Sequence, residues 1–114
     1  MSKMLAMAVP ILPGKEAEWK KFSEGLKGSR NAEFKESRKK LNVRERSFYQ
    51  HTPHGDFIIV TLEGDNPEQA FMDFAKGDDD FTKWFATGVK EVHGFDLTQP
   101  PQGPLPELIV DSGA

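Results

Sequence analysis

The chain contains no cysteine. Disulfides, thiolate metal ligands and cysteine nucleophiles are therefore excluded together, and the composition suits a reducing, cytoplasmic setting. No apolar run approaches the roughly 20 residues that a membrane-spanning helix needs. Met4 to Leu12 is the one stretch that resembles a leader, because it is apolar and holds Ala6-Met7-Ala8. Its charged flank is a single Lys3, and Pro10 and Pro13 follow closely, so it reads as a first strand and not as a secretory signal. Phosphate-cradling glycine loops, a Walker lysine and a hydrolase elbow are all missing. The acidic run Asp78-Asp79-Asp80 lacks the spaced ligands and glycine of a calcium loop and reads as a helix start favoured by the helix dipole.

What is present fits one domain spanning residues 1–114. Hydrophobic residues make up 37% of the chain and charged residues 29%, ordinary for a globular fold and too apolar for a disordered one. Nine Phe and two Trp supply the large buried area per residue that a small domain needs. The net charge of −3 is unevenly spread. Residues 15 to 46 hold eleven Lys/Arg against six Asp/Glu, a local +5, and the remainder carries −8. Within the basic part the signs alternate, as in Lys15-Glu16 and Lys35-Glu36, which marks solvated helix faces and not a nucleic-acid footprint.

Along the chain, Met4 to Ile11 reads as a strand closed by Pro13-Gly14. Trp19, Phe22 and Leu26 then recur at helical spacing, opposite Lys20, Lys21 and Glu24. Gly28-Ser29 breaks this helix, and Ser29 is expected to cap a second piece on which Phe34, Ser37/Arg38 and Leu41 share a face. Val43 to His51 and Asp56 to Glu63 form a hairpin around Thr52-Pro53-His54-Gly55. Asn66 caps a helix with Pro67 at its first position, and Ala70, Phe71 and Phe74 form its apolar side. A further helix from Asp78-Asp79-Asp80 carries Phe81, Trp84, Phe85, Val89 and Val92 and stops at Gly94. After a Pro-rich stretch, Leu108 to Asp111 is expected to be a last strand.

The expected order is βαββαβ, an α+β ferredoxin-like fold with helices over one face of a four-stranded antiparallel sheet. Strands one and three are placed at the centre, because both are apolar on their two faces. Strand two carries Arg44, Glu45, Arg46 and Gln50, as an edge would. A bare apolar sheet face needs cover, and a second copy of the same sheet supplies it, so the chain is expected to be a homodimer. RNA recognition modules share this element order. Their third strand places an aromatic after a basic residue and glycine, where this chain has His54-Gly55-Asp56, and strand one has no aromatic, so RNA is disfavoured and no nucleic-acid partner is expected.

With this element order, the segments Arg44-Glu45-Arg46 to Gly55-Asp56-Phe57 and Phe81-Trp84-Phe85 to His93-Gly94 resemble the dimeric α/β-barrel superfamily, the ferredoxin-like group that includes antibiotic-biosynthesis monooxygenases. The resemblance implies sheets packed face to face into a barrel. It covers cofactor-independent monooxygenases, haem-degrading monooxygenases, muconolactone-isomerase-like enzymes, stress-responsive proteins and ligand-sensing regulators. The haem-degrading pattern needs an Asn on the first strand and a Trp on the third, and neither is present.

Candidate site residues follow from residue chemistry. His93, at the end of a helix presenting Trp84 and Phe85, can serve as a base toward a phenol or an activated carbon, since its pKa lies near neutrality. Its plainer role is a helix-terminal His that favours the dipole. On the polar strand, Arg46 or Tyr49 can orient a ligand, with Phe48, Gln50 and His51 beside them. With the turn centred on Pro53-His54, Tyr49 and His51 share a face with Ile58 and Val60, while Arg46, Phe48 and Gln50 share the other. His51, His54 and Asp56 could bind a metal, but His-x-x-His at a turn is a weak pattern, and neither metal nor cofactor is assigned. The expectation is a homodimer holding a small apolar or aromatic molecule between sheet and helices, as a cofactor-independent monooxygenase or isomerase. The alternative is a non-catalytic ligand-binding or stress-response dimer.

Overall fold

The computed structural model describes residues 3–101 and 103–113. Strand β1 (Lys3–Pro10) leads into helices α1 (Glu16–Lys27) and α2 (Asn31–Lys40). The hairpin strands β2 (Val43–Thr52) and β3 (Gly55–Gly64) follow, then helices α3 (Pro67–Phe74) and α4 (Asp80–His93). Both helical connections are broken in two, as the glycine and acidic punctuation predicts. Asn66 caps α3 by accepting from the Gln69 amide at 3.2 Å, and Asp79 caps α4 through the Thr82 amide. Ser29 does not cap α2: Arg30 occupies that position without a side-chain bond. Gly94 ends α4 in the left-handed region at φ 80°, which costs glycine nothing.

The four-stranded expectation fails. The sheet has three antiparallel strands in the order β1-β3-β2, so β3 alone is central and β1 lies at an edge among the described residues. The ferredoxin-like βαββαβ order is accordingly not shown. Leu108 to Asp111 forms no strand, and Leu108, Ile109 and Val110 are 69%, 81% and 81% exposed. A strand exists only through the ladder bonds of a neighbour. The β propensity of Leu-Ile-Val cannot supply that neighbour, and Pro100, Pro101, Pro104 and Pro106 lack the amide donors that would extend a ladder along the approach.

The hairpin register pairs Thr52 with Gly55, leaving Pro53-His54 as a two-residue loop, and Gly55 adopts φ 126°. The register lays out two rows of side chains. Leu5, Met7 and Val9 of β1 align with Leu62, Val60 and Ile58 of β3, which align in turn with Glu45, Ser47 and Tyr49 of β2. This row faces the helices. The buried core comprises Phe74, Phe81, Phe85 and Val89 between helices, and Ile11, Ile58 and Val92 where β1 leaves the sheet. Phe85 is its hub, with ring centroids of Phe22, Phe34, Phe74 and Phe81 at 5.4, 6.3, 5.0 and 5.9 Å. Among the described residues no helix is long and apolar enough to cross a membrane.

Candidate site between sheet and helices

Helix α1 has an apolar stripe, yet none of its residues is fully buried. Trp19, Phe22 and Leu26 are half-buried because the space beneath them is partly empty. A cavity of about 460 Å³ lies there, within the range of roughly 300–1,000 Å³ usual for small-molecule sites. The inner sheet row forms its floor through Met7, Val9, Ile58, Val60 and Leu62, and α1, α2, α3 and α4 roof it. Its lining is mainly aliphatic and aromatic, with a few polar groups at separate points.

One of these is His93, 9% exposed. Its Nδ1 lies 2.6 Å from the carbonyl oxygen of Pro10. A carbonyl only accepts, so Nδ1 carries the hydrogen and Nε2 holds the lone pair. Burial lowers the His93 pKa, and the Pro10 bond offsets this only in part, so the ring is neutral at pH 7. Nε2 has no hydrogen-bond partner among the described residues. The result is an oriented, uncharged acceptor at the cavity wall.

A second polar point was not foreseen from the sequence. Arg38, 7% exposed, donates from Nε to Glu45 Oε1 at 2.7 Å and from Nη1 to Ser37 Oγ at 2.9 Å. Its guanidinium carbon lies 4.9, 4.4 and 4.7 Å from the ring centroids of Phe34, Phe74 and Phe85, close enough for cation–π attraction. Both Arg38 and Glu45 line the cavity.

The sequence candidates divide. His93, Tyr49 and Phe85 border the cavity, and Phe48 touches its margin although the register sends its side chain to the outer face. Arg46, Phe48 and Gln50 do share that outer face, and Arg46 is engaged with Glu63 at 3.6 Å. Arg46 is therefore not brought to His93. Trp84 does not line the cavity. It packs on Phe22 at 4.9 Å and beneath the Arg30 guanidinium at 4.8 Å.

Tyr49 joins a separate cluster at the hairpin end. Its hydroxyl donates to Asp56 Oδ2 at 2.6 Å, and the His51 Nδ1–H donates to Oδ1 at 2.5 Å. The Tyr49 bond, then the His51 bond, hold the Asp56 carboxyl below its usual range, and the same Tyr49–Asp56 bond raises the phenol. The edge of one ring of the Trp19–Tyr49 pair meets the face of the other at 5.0 Å. The phenolic proton is thus committed to Asp56. Among the described residues no three His, Asp or Glu side chains gather to hold a metal ion, so His54 does not complete a site with His51 and Asp56.

No protein-family model, curated protein or solved structure matches the chain. The reading of its function therefore rests on the site alone.

Proposed function

We propose that the protein binds a small, largely apolar molecule in the cavity between sheet and helices, and that the bare Nε2 of His93 accepts a hydrogen bond or a proton from it. The observation that carries this reading is the conjunction of a cavity of about 460 Å³ with a buried, neutral, tautomer-fixed imidazole on its wall. A filled core would leave no room for a ligand, and a surface His would be protonated over much of the acidic range. The catalytic form of the reading is proton abstraction from a phenol or an activated carbon, the opening step of an isomerisation or a cofactor-free oxygenation. In the non-catalytic form the same nitrogen only binds.

The working unit in this proposal is a homodimer. The outer sheet face exposes Met4 and Phe48, at 51% and 54%, beside the half-buried Phe57 and Ile59. The arm Leu108-Ile109-Val110 adds three more exposed apolar side chains. A second copy offers both surfaces their complement.

The ketone 2-tetralone tests the chemistry. It is apolar, fits the cavity in size and carries acidic hydrogens beside its carbonyl. Hydrogen–deuterium exchange at that carbon, followed by NMR in D₂O, is expected to run faster with wild-type protein by about 10²–10⁴-fold over buffer, the usual contribution of a positioned base. His93→Ala should lose that acceleration while still binding the ketone. Binding without acceleration in the wild type assigns the site to the non-catalytic form.

A further inference from the structure

Burying an ion pair is expensive, and apolar residues of the same volume often stabilise a core better. The Arg38–Glu45 pair is therefore poorly explained by stability. Its side chains are 9% and 8% exposed, and three Phe rings enclose the guanidinium. The bonds it makes leave a remainder. Nε and Nη1 of Arg38 are used, as is Oε1 of Glu45. Nη2 and Oε2 have no partner among the described residues, and neither is sealed in protein. Both residues line the cavity. One open donor and one open acceptor, belonging to a pair with no net charge, are thus left on two residues of a mainly apolar lining.

We infer that this pair is the polar anchor of the cavity and that it selects an uncharged ligand whose polar end carries an acceptor beside a donor, such as a carboxamide or a hydroxy-carbonyl group. The inference rests on the cavity being the binding site and adds the class of molecule it takes. An amide-type end satisfies both open atoms, its carbonyl accepting from Arg38 Nη2 and its N–H donating to Glu45 Oε2. A carboxylate satisfies only the first. It also brings its charge against Glu45 in surroundings that screen little. A plain hydrocarbon leaves both atoms unpaired when it displaces water. The apolar walls then hold the body of the ligand, with His93 at a separate point of the lining.

The isosteric probes 2-naphthamide and 2-naphthoate test this by titration calorimetry at pH 7.5. Wild-type protein is expected to bind the amide at least tenfold more tightly than the carboxylate. In Glu45→Gln the negative charge is gone and Arg38 is left unneutralised, so the preference should reverse, with the carboxylate gaining at least tenfold. Equal binding of the two probes by the wild type, or a folded Glu45→Gln protein with unchanged preference, overturns the anchor while leaving the cavity as the binding site. Binding of neither probe overturns the cavity reading and the anchor with it. Should Glu45→Gln not fold, the wild-type preference decides by itself.

Discussion

His93 shows how one residue acquires its properties from neighbours that the sequence does not place beside it. Its Nδ1 is tied to the carbonyl of Pro10, 83 positions away. Burial holds its pKa below the ordinary 6.5. The consequence for stability has a definite sign. The unfolded chain takes up a proton near pH 6.5 and the folded chain only at lower pH, so the unfolded state binds more protons between the two values. Stability should therefore decline as pH falls below about 6.5, before the lowered carboxyls of Asp56, Asp73, Asp79 and Asp96 begin to protonate. Thermal unfolding measured between pH 7.5 and 5 should show that decline in the wild type and a flatter profile in His93→Gln. Parallel profiles would mean that the ring is not held neutral by the fold.

At the same scale, the sequence offered a partial view of the anchor. Arg38 falls on the apolar stripe of α2 with Phe34 and Leu41, a charge where a hydrophobe belongs. Glu45 falls on the inner side of β2, in step with Ser47 and Tyr49. Each irregularity is visible alone. Their pairing is not, because it depends on how α2 lies on β2. Tyr49 is the opposite case: its face was legible from the hairpin register, but its commitment to Asp56 needed the coordinates.

Among the elements, the hairpin and the four helices were readable because their signals are local. Proline and glycine mark the turn, helical spacing marks the stripes, and Asn66, Asp79 and Gly94 mark the ends. Leu108 to Asp111 has the composition of a strand but forms none, because strand formation depends on a partner that local composition cannot report. The packing of α1 on α4 likewise turns on one residue. A Cβ built on Gly88 overlaps the Phe22 ring, which is itself wedged against Trp84 and Phe85. Alanine would gain about 1 kcal/mol of helix propensity over glycine, whereas overpacking costs about 1–3 kcal/mol. Gly88→Ala is thus expected to lower the melting temperature by several degrees, and because α1 roofs the cavity it should also weaken probe binding. A melting temperature at or above the wild-type value would show that α1 has slack to move away.

At the scale of the whole molecule, three features of one fold meet. A sheet whose inner row is apolar on β1 and β3 lies under a helix whose apolar stripe is only half-buried, and the mainly apolar gap between them counts His93 and the Arg38–Glu45 pair among its polar groups. The outer face and the C-terminal arm leave Met4, Phe48, Leu108, Ile109 and Val110 exposed, the surface that the proposed dimer would cover. Backbone amide NMR of isotope-labelled protein, titrated with 2-naphthamide, tests the central claim most directly. The account predicts saturable shifts at cavity residues such as Leu26, Val60, Phe85 and His93, little change at Arg46 and Gln50 on the outer face, and tumbling appropriate to two chains. An unchanged spectrum, or shifts confined to the outer face, would contradict it.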